Sequence, residues 1–194
     1  MRLTGAGLAL LLAACTPAAV DEAGFAEAAD LAESVDPGNL ERTVTTIANE
    51  HRDDVTVPCD GYEPKDGFPA CELSRDAAVS EVADTLASFG YAPVVEPLGD
   101  SPPAFNVIAE RQGETRPEEV ILVGAHLDAF YSGADDNTSA VAALLEIARI
   151  VRSRRFARTV RFVGFDLEEY GAVGSTRYVA AGGADDVVLA LILE

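Results

Sequence analysis

Two short segments place one imidazole and several carboxylates where chemistry is possible. The first reads Gly124-Ala125-His126-Leu127-Asp128, followed by Gly133-Ala134-Asp135-Asp136-Asn137. The second reads Phe165-Asp166-Leu167-Glu168-Glu169. Each follows an apolar run rich in β-branched residues, so each sits where a strand ends. Nitrogen and oxygen donors gathered at one sheet edge are the raw material of a metal site with a carboxylate base beside it. Residues i and i+2 of a strand face the same way, so His126 and Asp128 project together. A metal-binding imidazole donates its other N–H to an acceptor behind it, and Asp128 is placed to be that acceptor.

Taken singly, each part has a plainer reading. A lone histidine at a strand end is commonly structural. Asp135-Asp136-Asn137 reads equally as a turn with a helix cap. Glu168-Glu169 resembles the surface pair Glu118-Glu119 of the same acidic chain. Position separates the cases. The carboxyl ends of strands in an open α/β sheet are where ligands bind, and both segments lie there.

The elements that must position these residues follow from periodicity. Helices are predicted over Leu40 to His51, from a Ser74 cap to Ser88, over Ser139 to Val151, and over about Ser175 to Ala181. Val79, Val82, Ala83 and Leu86 share one helix face, and Phe89-Gly90 ends that helix. Asn137 or Thr138 is predicted to cap the helix from Ser139. Its stripe of Val141, Leu144, Leu145 and Ala148, widened by Ile147 and Val151, predicts good cover. Strands are predicted at Ala92 to Glu96, Asn106 to Arg111, Glu119 to His126 and Thr159 to Phe165, with a final run from Val187 to Leu193. Val120 to Val123 is continuously apolar, which predicts burial on both faces. The alternation is the α/β pattern, with right-handed crossovers expected. Arg149, Arg152, Arg154, Arg155, Arg158 and Arg161 cluster around a helix end and read as a solvated cap. Anionic membrane headgroups are the alternative contact for them.

The chain has 194 residues, which suggests one domain. Its 14 Lys+Arg against 33 Asp+Glu give a formal charge of −19. Such a surface argues against nucleic acid as a partner. Hydrophobic residues at 48% are ample for a core and too many for a disordered chain.

The first fourteen residues read as a signal peptide: Arg2, then an apolar run from Gly5 to Ala14 too short to span a bilayer. Leu12-Ala13-Ala14-Cys15 resembles the lipobox of bacterial lipoproteins, which implies a lipidated Cys15, membrane anchorage and a place in the cell envelope or outside the cell. Residues 15–36 read as the lipidated N-terminus and a linker, and 37–194 as the catalytic domain. Cys59 and Cys71 remain. In an exported protein such a pair is more often a disulfide than a metal site.

From about Asn106 onward the chain resembles the di-zinc aminopeptidases of peptidase family M28. The resemblance is carried by Asn106-Val107-Ile108-Ala109, Gly124 to Asp128, Gly133 to Ser139, and Glu168-Glu169-Tyr170-Gly171 leading to Gly174-Ser175. Ser132 stands where the family often has proline. The resemblance implies an α/β three-layer sandwich with a mostly parallel, mixed central sheet. It implies His126, Asp136, Glu169 and Glu194 as metal ligands, with Asp136 bridging two Zn2+ ions and the Asp136–Asn137 peptide bond cis. It implies Glu168 as the general base, Asp128 behind His126, and a metal-bridged water that hydrolyses N-terminal residues from peptides with a free N-terminus.

The family's last ligand is a histidine far downstream. This chain has only one other histidine, His51, in the stretch that matches poorly. The sequence therefore reads as the C-terminally incomplete part of such an enzyme, ending within an apolar run. Two alternatives stand beside this. One is a catalytically incomplete family member with a non-enzymatic role, marked by zinc well below one per chain. The other is a glutaminyl-cyclase-like single-zinc enzyme, marked by release of pyroglutamate, and the His-x-Asp context argues against it.

Overall fold

The computed structural model describes residues 22–50, 72–100, 103–129 and 133–194. The expected signal segment, Cys15, His51 and the expected Cys59–Cys71 pairing lie outside the described residues. The chain divides into two units, Met1–Glu33 and Ser34–Glu194. The first contributes helix α1, Glu22–Glu33, within the stretch predicted as a linker. Ser34 and Asp36 already belong to the second unit: Arg149 donates to the Ser34 carbonyl, and the Asp36 N–H donates to Glu146.

In the second unit, α2 (Pro37–Thr45) begins with proline at its first turn and Asp36 as its cap. The Asp36 carboxylate accepts the Gly38 N–H at 2.8 Å, which satisfies one of the helix's orphan donors. The predicted start at Leu40 is thus three residues late. A π-helical turn, Thr46–Glu50, follows. Helix α3 spans Glu72–Ser88, so Ser74 lies inside it rather than capping it. Gly90 ends it with φ 91°, while the Tyr91 N–H reaches the Leu86 carbonyl.

The strands are β1 (Val94–Asp100), β2 (Pro103–Arg111), β3 (Arg116–His126), β4 (Arg158–Phe165) and β5 (Val187–Ile192). They form one sheet in the order β1-β2-β4-β3-β5. The β1–β2 and β2–β4 pairings are antiparallel, and β3 pairs in parallel with both β4 and β5. The sheet is therefore mixed, with as many antiparallel as parallel pairings.

Helices α4 (Ala140–Val151) and α5 (Val173–Ala180) complete the α/β architecture. Alternation along the strands divides the core in two. Val123 and Phe162 pack with Val82, Leu86, Leu144 and Leu145 of α3 and α4. Their neighbours Leu122 and Val163 pack with Phe165 and with Tyr178 of α5. The central strands are thus buried on both faces, as the apolar run Val120 to Val123 predicts. Among the described residues no helix is long and apolar enough to cross a membrane.

The arginine cluster is mostly not a helix cap. Arg152 does donate to the Arg149 carbonyl at the end of α4. Arg155, Arg158 and Arg161 instead pair with Glu114, Glu119 and Glu110, and Arg161 also pairs with Asp186. The sequence pattern missed this because these acids lie 25 or more positions from their arginines in the chain.

Candidate metal centre

Strand β3 delivers His126 to its carboxyl end, and β4 ends beside it, with His126 and Phe165 in register. The Leu127 N–H donates to the Phe165 carbonyl at 2.7 Å, so the two strand ends are joined before their loops diverge. His126 and Asp128 are both nearly fully buried.

The imidazole is fixed by main chain. His126 Nδ1 lies 3.0 Å from the Asp128 carbonyl oxygen. A carbonyl can only accept, so Nδ1 carries the proton, and in the neutral ring Nε2 holds the lone pair. Asp128 is the acceptor that the strand spacing predicts, but through its backbone; its carboxylate stands 3.6 Å from Nδ1. That carboxylate does something the sequence did not reveal. Its Oδ1 accepts the Glu168 N–H at 2.8 Å and its Oδ2 the Glu169 N–H at 3.0 Å. One buried side chain thereby locks the two motifs together.

Nε2 of His126 is buried and, among the described residues, makes no hydrogen bond. Asp136 Oδ1 lies 3.1 Å from it. Two donors each about 2 Å from a tetrahedral zinc stand about 3.3 Å apart, so this pair has the spacing of two ligands of one ion. Asp136 reaches this point from the turn Ala134–Ser139, where the Asp136–Asn137 peptide bond is cis. The turn also replaces the predicted cap of α4. Ser139 occupies the cap position, and its hydroxyl donates to the Asp135 carbonyl instead of capping the helix. Asn137 and Thr138 are buried within the turn.

The charges of the remaining acids act on the same place. Burial pulls the His126 pKa down, but the hydrogen bond and charge of Asp128, with the charge of Glu168, outweigh it and raise it to about 9. Glu169 titrates above its ordinary range, first through burial and then through the negative charges of Asp136 and Asp128. Glu168 and Glu169 are both half-buried. A cation at Nε2 would relieve this crowding and would compete with the imidazole proton.

The predicted ligands are not all gathered. Among the described residues no group of three or more His, Cys, Asp or Glu side chains is arranged to hold a metal. Glu194 is exposed, one residue past Leu193. Its neighbour is nevertheless close to the turn: the Leu193 carbonyl accepts from Asn137 at 3.2 Å, and the Leu193 N–H donates to Gly124.

Sequence reasoning assigned no role to Asn106 and Asp166, which are both fully buried. A polar residue inside an apolar strand, and another at a strand end, were the available signals.

Residues 106–193 match the family model of Peptidase family M28. An aminopeptidase of Pseudomonas aeruginosa (strain UCBPP-PA14) is 42% identical over 89 residues, which cover 44% of this chain and 16% of that protein. A glutamate carboxypeptidase 2 homolog of Caenorhabditis briggsae is 40% identical over 80 residues, covering 38% of this chain and 10% of that protein. The chain thus spans less than a fifth of the length of these curated relatives. LapB from Legionella pneumophila has the same fold, with a TM-score of 0.64 at 22% identity over 87% of this chain and 46% of LapB. The matched stretch holds both strand-end segments and the turn between them, and over it the chain is similar to peptidase family M28.

Proposed function

We propose that the protein acts as a zinc-dependent exopeptidase that removes N-terminal residues from peptides. The observation that carries this is the buried His126 Nε2 standing 3.1 Å from Asp136 Oδ1, the spacing of two ligands of one ion. His126 and Asp136 would hold one ion, Asp136 and Glu169 a second, with Glu194 as a further ligand. Bound zinc would supply Lewis acidity and lower the pKa of water.

The chain's own residues supply the rest. The Asp128 carbonyl fixes the imidazole so that Nε2 points into the site. The Asp128 carboxylate holds the backbone from which Glu168 and Glu169 project. Glu168 takes a proton from the attacking water and delivers it to the leaving amine. Acidic side chains around the site attract a cationic α-amino group, which favours cleavage at the N-terminal end. Export and lipidation at Cys15 are part of the same proposal and rest on the Leu12-Ala13-Ala14-Cys15 motif.

The test uses the full-length native protein and three peptides: one free at both ends, one blocked at the N-terminus and one blocked at the C-terminus. Release of the first residue from the C-blocked peptide, lost on chelation and restored by zinc, is the expected result. Release of the last residue from the N-blocked peptide alone would overturn the aminopeptidase reading in favour of carboxypeptidase action. Pyroglutamate formation would overturn both.

A further inference from the structure

We propose that Asp166, together with Asn106, is a positioning residue for the Glu168–Glu169 turn; this rests on the exopeptidase reading above. Strand β4 ends at Phe165, and within four residues the chain must turn and present two carboxylates. Three successive N–H groups of that turn are held by carboxylates. Leu167 donates to Asp166 Oδ1 at 2.9 Å, and Glu168 and Glu169 donate to Asp128. Asp166 Oδ2 accepts the Phe105 N–H of β2 at 2.8 Å, so the same side chain ties the turn to the neighbouring strand.

The backbone of Asp166 is held as firmly as its side chain. Its N–H donates to Asn106 Oδ1 at 3.1 Å, and its carbonyl accepts the Gly174 N–H at 2.8 Å. Asn106 closes the ring by donating to the Gly174 carbonyl at 3.2 Å. Ring members Asp166 and Asn106 are fully buried, and Gly174 is buried beside them at the start of α5.

This arrangement exceeds what a strand exit needs. Leu167 is a buried, non-glycine residue at φ 55°, a left-handed conformation that leucine persists in only when its surroundings over-determine it. Burying a carboxylate is costly unless hydrogen bonds satisfy it, and Asp166 directs its oxygens to two backbone donors, one of them inside the turn. The conformation so imposed sets where the Glu168 and Glu169 side chains leave the backbone. A carboxylate ligand and a base must be placed to within a fraction of an ångström, and the groups behind them do the placing.

The test compares full-length wild type, Asp166→Asn and Val163→Ala. Val163→Ala opens a cavity in the apolar cluster of the same strand and serves as a control for global destabilisation. Readouts are amide exchange at Leu167 to Glu169 in the metal-free protein, zinc affinity by chelator competition, and kcat and KM separately. Asp166→Asn keeps the shape but turns a donor toward a donor. Expected are faster exchange confined to the turn, a 10- to 100-fold loss of zinc affinity and a lower kcat with KM nearly unchanged. Val163→Ala is expected to lower the melting temperature and leave zinc affinity at the wild-type value. Should Asp166→Asn fold poorly, Asn106→Ala removes the amide contact while sparing the carboxylate, with the same direction expected.

Zinc affinity and turn exchange in Asp166→Asn no different from Val163→Ala, at matched melting temperature, would overturn the positioning role alone. Wild type that takes up no zinc would instead overturn the exopeptidase reading and, with it, the role argued from it.

Discussion

The carboxylate of Asp128 accepts the main-chain N–H of Glu168 at 2.8 Å, from a residue forty positions further along the chain. Its second oxygen does the same for Glu169. The His-x-Asp pattern therefore serves two masters: the Asp128 carbonyl orients the imidazole and the Asp128 carboxylate shapes the opposite wall of the site.

Asp128→Asn separates these two roles. The variant keeps the carbonyl behind His126 but can accept only one of the two amides well. Stability is expected to fall by about 1–3 kcal/mol, the penalty for a buried donor left unpaired. Zinc affinity is expected to fall about 10- to 100-fold. Urea unfolding and chelator competition check both, and wild-type values in the two assays would contradict the shared-carboxylate geometry.

Gly174 tests the packing of the turn against α5. A Cβ there would stand 2.3 Å from the Asp166 carbonyl oxygen and 2.6 Å from Asn106 Oδ1. The nearest atom is backbone, which cannot swing away. Gly174→Ala is expected to cost about 1–3 kcal/mol or more by overpacking. An unchanged unfolding midpoint would show that the turn has slack that the structure does not contain.

The parts of the fold legible in the sequence were those governed by periodicity. The strand ends at His126 and Phe165 are where alternation and apolar runs place them. The starts were less legible. Helix α2 begins at Pro37 because Asp36 caps it, and Asp36 in turn is held by Glu146, a contact no local pattern records. The cap of α4 was misread for a similar reason. Asn137 and Thr138 have cap-forming side chains, but both are buried within the turn Ala134–Ser139. At the site, residue types and strand-end positions were readable from sequence. The hydrogen bonds that join the two segments were not, because Asp128 to Glu168 and Asn106 to Asp166 are contacts between residues far apart in the chain.

Glu146 gives a pH prediction away from the site. It is 4% exposed and accepts from Arg149 at 2.6 and 2.7 Å, from the Asp36 N–H and from Asn39. The Arg149 hydrogen bonds hold its carboxyl below the usual range, against burial, with help from Asp36 and Asn39. A depressed folded pKa contributes stability that is present above the unfolded value and lost as pH falls through the folded one. Glu146→Gln is expected to be less stable than wild type by about 1–3 kcal/mol at pH 7. The difference should shrink as pH falls below about 4.5, the ordinary value for the group. Urea unfolding across that range reads it, and a difference independent of pH would contradict the charged role.

The most direct test of the central claim is turnover of a leucyl peptide by the zinc-loaded full-length protein, wild type against Glu168→Ala, with zinc content measured on the same samples. The account predicts equal zinc in both and a loss of hydrolysis of about 10²- to 10⁴-fold in the variant, as expected for removal of a general base. Near-wild-type release of leucine by Glu168→Ala, or none from a wild type carrying its zinc, would contradict it.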